Sequence, residues 1–141
     1  PGIIGFCSAL QLLENKNDEY ITYMSQLRDR FEKKLLQSLP DILIHGINLP
    51  RLCNTSNIAF LGLDGETLLM SLDLAGIAAS YGAACSTGSL ESSRVLLSMG
   101  IPASVSRSSL RFSFSRMNTV EEVDRSVSII VDVVGKLRLH K

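Results

Sequence analysis

The stretch Leu110-Arg111-Phe112-Ser113-Phe114 alternates apolar and polar side chains over five consecutive residues. Because successive side chains of a β-strand point to opposite faces, this alternation predicts a strand whose three apolar side chains pack inward. Arg111 and Ser113 would then share the opposite face. The stretch Thr119-Val120-Glu121-Glu122 further on is a capping box, and apolar residues at helical spacing follow it. The end of the chain therefore predicts a strand followed by a terminal helix.

The rest of the chain divides into short apolar runs and amphipathic segments. Apolar spacing predicts two helices, at residues 3–13 and 19–39, separated near Asn15-Lys16-Asn17. Apolar runs predict three strands, at residues 42–45, 57–60 and 77–80. Further helices are predicted after the capping residue Asp64, from Arg94 to Met99 and from Pro102. This order predicts an α+β fold in which a small antiparallel or mixed sheet packs against helices, as a single domain over residues 1–141.

Charge and cysteine usage exclude several classes of function. Fourteen Lys and Arg residues balance fourteen Asp and Glu residues, so no basic field attracts nucleic acid or an anionic membrane. Cys7, Cys53 and Cys85 are widely spaced and form no C-x-x-C pair, which argues against disulfides or a metal site and favours the reducing cytoplasm. The apolar opening at residues 3–10 is too short to span a bilayer, which needs about 20 residues. The chain starts at Pro1 without methionine, and we expect it to be a piece of a longer protein.

The loop Ser80-Tyr81-Gly82-Ala83-Ala84-Cys85-Ser86-Thr87-Gly88-Ser89 surrounds a cysteine with small residues. Its two glycines permit backbone conformations closed to other residues, and a pliant loop lets a thiolate approach a substrate held elsewhere. The alternative is that Cys85 is a small buried hydrophobe, and local composition favours the two interpretations equally. Cys7, within a helical apolar stripe, and Cys53, beside a turn, are predicted to be packing residues.

Arg111 is the second candidate functional residue. Its planar guanidinium matches the two oxygens of a carboxylate, which a lysine cannot do. Considered alone, Arg111 fits a solvated strand residue or an ion pair better. His45 lies at a strand end and His140 in the terminal tail, so neither is predicted to form a triad with Cys85, and a Cys/His protease is not supported.

Three stretches carry a resemblance to a known family: LDLAGIAASYGAACSTGSLE at residues 72–91, SSLRFS at residues 108–113 and RLCNTSNIAF at residues 51–60. The chain closely resembles the C-terminal part of the NifS/IscS-type cysteine desulfurases in these three stretches and along almost its whole length. Those proteins are class V, pyridoxal-phosphate (PLP) enzymes of the aspartate-aminotransferase fold, fold type I. The resemblance implies that residues 1–141 form the small C-terminal domain of such an enzyme.

The resemblance also implies roles for the two candidate residues. Cys85 corresponds to the nucleophile that takes sulfur from the substrate L-cysteine as a persulfide while L-alanine leaves, and Arg111 to the arginine that binds the substrate carboxylate. The family's Schiff-base lysine belongs to a large domain that no part of this chain matches. The chain is therefore expected to contain no cofactor-binding residue and no metal site, and neither to hold PLP nor to turn over substrate alone.

The family's partners follow from the same resemblance. Sulfur is expected to pass from Cys85 to an acceptor or iron-sulfur scaffold protein, and the intact enzyme is expected to be a homodimer. Selenocysteine lyases share a similar cysteine loop, so selenocysteine remains an alternative substrate. A sulfur-carrier or docking module without catalysis is a second alternative, and a purely structural piece with Cys85 buried is a third.

Overall fold

A sheet of four antiparallel strands organises the chain, with strand order β1-β2-β4-β3. The computed structural model describes residues 1–82 and 92–139. Within these ranges the elements are, in chain order, α1 (Gly2–Ser38), β1 (Ile42–Ile44), β2 (Thr55–Phe60), α2 (Gly65–Leu74), β3 (Ser80–Tyr81), α3 (Arg94–Ser98), α4 (Ala103–Arg107), β4 (Ser109–Ser113) and α5 (Val120–Leu139). The predicted α+β class, with a small sheet packed against helices, is confirmed.

One face of the sheet, which we call the core face, is covered by helices. Leu110 and Phe112 of β4 and Ile58 of β2 are buried there, together with apolar residues of α1, α2 and α5. Phe31 of α1 lies at the centre, with its ring centroid 5.1 Å from that of Phe112 and 5.3 Å from that of Phe114. These tilted and edge-on contacts are the favoured geometry for aromatic pairs, so the core face anchors β4 firmly.

The opposite face, which we call the polar face, carries Asn57, Ser80, Ser109, Arg111 and Ser113. Cross-strand partners share a face, and Arg111 pairs with Asn57 on β2 and with Ser80 on β3. At one end of this face Ser109 is buried and donates a hydrogen bond to the Val105 carbonyl of α4. At the other end Arg111 and Ser113 are exposed. The alternation of β4 therefore places its polar side chains as the sequence predicts.

Two helix starts form as their capping residues predict. The Asp64 carboxylate accepts a hydrogen bond from the Thr67 backbone N–H at 2.9 Å, and this bond lowers the pKa of Asp64. At α5 the Thr119 hydroxyl accepts from the Glu122 N–H while the Glu122 carboxylate accepts from the Thr119 N–H. Both helices therefore begin where local chemistry satisfies their free N–H groups.

The structure corrects three predictions. The break near Asn15-Lys16-Asn17 is wrong, because α1 runs without interruption over 37 residues. Residues 6–38 contain no proline or glycine. Extending a helix through them costs less free energy than ending it and nucleating another. Cys7 was predicted to pack, yet its side chain is exposed on α1. The strand predicted at residues 77–80 forms only at Ser80–Tyr81.

The other predicted elements are present with small shifts in their ends. Gly100 follows α3 with φ +78°, a left-handed conformation that suits glycine after a helix. Across residues 1–82 and 92–139, no helix is long and apolar enough to cross a membrane. In the same ranges, no three His, Cys, Asp or Glu side chains cluster as metal ligands would.

Candidate active site

Arg111 is held on the polar face by the residues that precede and follow it in β4. Leu110 is fully buried and Phe112 is 4% exposed on the core face, so the backbone of β4 is fixed while the Arg111 side chain projects the other way. Within the described ranges the Arg111 guanidinium makes no hydrogen bond or ion pair. The predicted alternative of an ion-paired Arg111 is therefore not observed, and all five of its N–H donors are available to a ligand.

The neighbours of Arg111 are small and polar. Its cross-strand partners are Asn57 on one side and Ser80 on the other, so the three side chains form a row across three strands. Ser80 also begins the predicted cysteine loop. Cys85 itself lies outside the described residues, which stop at Gly82 and resume at Ser92. The register therefore brings the start of that loop to Arg111.

The start of α2, at Gly65, is closely packed against β3. A Cβ atom at Gly65 would collide with the Arg107 carbonyl oxygen and with the ring of Tyr81. Only glycine permits this approach, which holds β3 against the start of α2. Burial of the Tyr81 ring also raises the pKa of its hydroxyl. Ser80 is thus fixed beside a tightly packed residue.

A buried histidine lies beside Ser109, at the buried end of the polar face. His45 Nε2 is 3.0 Å from Ser109 Oγ, and the Ser109 hydroxyl donates its single proton to the Val105 carbonyl. His45 Nε2 must therefore donate, which leaves Nδ1 as an unprotonated acceptor, buried and without a partner in the described chain. Burial lowers the pKa of His45. Spacing along the chain could not predict this link, because Ser109 lies 64 residues from His45.

A buried ion pair fixes β2 from the helical side. The Glu32 carboxylate of α1 receives two hydrogen bonds from Arg51, at 2.7 and 2.9 Å, and one from the Ser56 hydroxyl at 2.7 Å. This pairing raises the pKa of Arg51. Glu32 was missed in the sequence, although a glutamate next to Phe31 in the apolar stripe of α1 was the available signal. Because Ser56 precedes Asn57, the ion pair sets the position of the strand that faces Arg111.

The described residues do not fit a complete PLP site. Covalent binding of PLP needs a lysine that forms a Schiff base with it. The four lysines within the described ranges lie on α1 and α5, and none is on the strands of the polar face: Lys16, Lys33, Lys34 and Lys136. Lys34 pairs with Asp124 at 2.8 Å. The part of the chain that the structure describes thus places no lysine on the strand of Arg111 or on the strands beside it.

Sequence comparisons place this arrangement among known proteins. Residues 1–125 match the family model described as Aminotransferase class-V. The chain is 44% identical to a cysteine desulfurase of Gluconacetobacter diazotrophicus and 41% identical to one of Nostoc sp., over 138 residues each. Each alignment covers 98% of this chain and 34% of the relative. The chain therefore spans about a third of the length of the curated relatives that it matches.

Solved structures give the same result. A NifS-like protein from Rickettsia africae superposes with a TM-score of 0.76 and 27% identity, covering 88% of this chain and 31% of that one. A second NifS-like protein superposes with a TM-score of 0.82 and 26% identity, covering 97% of this chain and 34% of the other. The fold of this chain thus corresponds to about a third of each of those proteins.

Proposed function

This chain belongs to the aminotransferase class-V family, and on that premise we propose that it is the small C-terminal domain of a PLP-dependent cysteine desulfurase. The relatives named cysteine desulfurase, at 40–44% identity over nearly the whole chain, support this assignment. Residues 1–141 would then be one domain, and the remaining two thirds of the enzyme would supply the PLP-binding large domain. We place this enzyme in the cytoplasm, in keeping with its three widely spaced cysteines, which form no C-x-x-C pair.

The single observation that carries the proposal is the Arg111 guanidinium on the polar face, which has no partner among residues 1–82 and 92–139. An arginine that is fixed by its strand, exposed and free of ion pairs is suited to bind a carboxylate through two parallel hydrogen bonds. An amino-acid substrate brings such a carboxylate. Binding by Arg111 would orient the rest of the substrate relative to the strands on either side.

Cys85 is proposed to be the sulfur acceptor. It follows Ser80 by five residues, so the length of an extended chain limits its Cα atom to at most about 18 Å from that of Ser80, beside Arg111. The Cys85 thiolate attacks the sulfur of the substrate, an S–S bond forms, and the substrate C–S bond breaks. The electron pair of that bond stays on the substrate carbon, which takes up the proton given up by the substrate thiol, so L-alanine leaves and Cys85 keeps the sulfur as a persulfide.

PLP, bound by the large domain, would supply the electron sink for breaking the C–S bond. Because this chain lacks a lysine beside Arg111 in the described ranges, we expect the isolated domain to release no alanine. The persulfide would pass to an acceptor such as an iron-sulfur scaffold protein, and the intact enzyme would act as a homodimer. Selenocysteine in place of cysteine is the alternative substrate, and parallel assays with both amino acids decide between them.

The test uses the full-length enzyme with PLP and L-cysteine. Cys85→Ala should abolish alanine release and the added sulfur that mass spectrometry detects on the Cys85 peptide. Arg111→Ala should lower kcat/KM for L-cysteine at least about 100-fold, since it removes a charge-assisted pair of hydrogen bonds. Arg125→Ala is the matched control, because Arg125 is an exposed arginine on α5, which packs against the core face. Full sulfur transfer by Cys85→Ala would exclude the proposal.

The sulfur-carrier alternative has its own test. The isolated chain is treated with a persulfide donor, and the mass of its Cys85 peptide is measured. Cys7 is exposed and would react as well, so the experiment uses a Cys7→Ser variant. Added sulfur on Cys85, together with no alanine release by the full-length enzyme, would favour a carrier over an enzyme.

A further inference from the structure

We propose that Asn57 is a positioning residue that orients the Arg111 guanidinium for the substrate carboxylate. This inference rests on the proposed function of Arg111. Asn57 and Arg111 are direct cross-strand partners in the antiparallel pair of β2 and β4. Their side chains project from the same face, with Cβ atoms about 5 Å apart in such pairs, which is within reach of an arginine side chain.

The side-chain oxygen of Asn57 supports this role. Asn57 Oδ1 is buried and accepts no hydrogen bond within the described part of the chain. A buried acceptor without a donor costs free energy, and asparagine is itself disfavoured inside strands. A valine would fill the same position without this cost. An unsatisfied buried group of this kind calls for an explanation beyond folding.

Arg111 offers the complementary group. The guanidinium has five N–H donors and no acceptor, and a carboxylate held in bidentate fashion uses two of them. Asn57 Oδ1 can accept from one of the remaining three donors. A guanidinium held at both its inner and outer edges has a fixed plane, so its fork points in one direction. Asn57 would thus reduce the freedom that Arg111 loses when the substrate binds.

The support beneath Asn57 is rigid. Ser56 donates to the buried Glu32 carboxylate, which Arg51 also holds, and Ile58 is completely buried on the core face. The backbone N–H of His45 donates to the Asn57 carbonyl at 2.9 Å. Both neighbours and the backbone of Asn57 are therefore fixed, so its side chain leaves the sheet from a constant position beside Arg111.

The decisive experiment measures KM and kcat for L-cysteine with full-length Asn57 variants. Asn57→Val removes the acceptor, and we expect KM to rise about threefold to tenfold with kcat nearly unchanged. Asn57→Asp places a carboxylate beside Arg111 that competes with the substrate, and KM should rise at least about tenfold. Thr55→Asp is the matched control, since it puts the same charge on the same strand and face but opposite Ser113. Its KM should change less than threefold.

A melting curve separates positioning from a structural role. Because Asn57→Val removes an unsatisfied buried acceptor and adds a better strand former, its melting temperature should equal or exceed that of the parent enzyme. A variant with a higher KM and an undiminished melting temperature supports positioning. A lower melting temperature with a proportional loss of kcat would contradict it.

A double-mutant cycle with Arg111→Lys tests whether Asn57 acts through Arg111. Lysine lacks the planar fork, so Asn57→Val should raise KM less than twofold in the Arg111→Lys background. Equal effects of Asn57→Val in both backgrounds would overturn the inference and leave the function of Arg111 intact. An unchanged KM for Arg111→Lys alone would overturn both.

Discussion

The two faces of the sheet divide the work of the molecule between alternate residues of the same strands. On the core face of β4, Leu110 and Phe112 are buried against three helices. On the polar face, Arg111 of the same strand is exposed and has no ion pair within the described ranges. Packing of Leu110 and Phe112 on the core face therefore supplies the rigidity with which Arg111 is held on the polar face. Four predictions test this division, from the largest expected effect on stability to the smallest.

Removing the aromatic centre of the core face should have the largest effect. Phe31 is 2% exposed and contacts the rings of Phe112 and Phe114. Phe31→Ala should lower the free energy of unfolding by about 3–5 kcal/mol, because the cavity adds to the lost burial. Equilibrium urea unfolding measures the loss. The Phe31→Leu variant retains most of the volume and should lose much less, and equal losses would contradict the packing argument.

Breaking the buried ion pair should have the next largest effect. Glu32→Ala leaves Arg51, whose side chain is only 16% exposed, without its partner, and should cost about 3 kcal/mol. Asp124→Ala breaks the exposed pairs with Arg30 and Lys34 and provides the control, with a much smaller loss. Urea unfolding of both variants gives the comparison. Similar losses would show that burial of Glu32 does not matter.

The buried His45 beside Ser109 should make the stability of the fold depend on pH. Burial lowers the pKa of His45 below its ordinary value of 6.5, so the unfolded chain takes up this proton at a higher pH than the folded chain. The contribution is fully present above pH 6.5 and is lost as pH falls toward the folded-state pKa. His45→Gln can still donate to Ser109 and should flatten this part of the profile. Unfolding midpoints at pH 7.5 and 5.5 provide the measurement, and an unchanged slope in His45→Gln would refute the prediction.

Arg111, which is exposed on the polar face, should contribute least to stability. Arg111→Ala should change the free energy of unfolding by no more than about 0.5 kcal/mol, because the side chain is exposed and without partners in the described chain. The same variant is expected to lose most of its activity toward L-cysteine. A loss of stability comparable to that of Phe31→Ala would show that the two faces are not separate.

Local signals in the sequence predicted the elements that carry the polar face. The alternation around Arg111, the Asp64 cap and the Thr119 capping box each depend on residues within a few positions of one another, and each is confirmed. The break predicted in α1 was wrong because polar residues alone do not end a helix. The links of His45 to Ser109 and of Glu32 to Arg51 join distant segments, so spacing along the chain could not reveal them. The role of Cys85 stays a prediction.

The length of α1 has a mechanical consequence. At 1.5 Å per residue its 37 residues extend about 55 Å, and Leu27 is the first of its side chains that the structure describes as buried. Gly2 lies 25 residues before Leu27, or about 38 Å away along the axis. A tilt of about 5° at Leu27 would therefore move Gly2 by about 3 Å. A small rotation of the helix axis beside Phe31 would thus displace the first turn of α1 by about the length of a hydrogen bond.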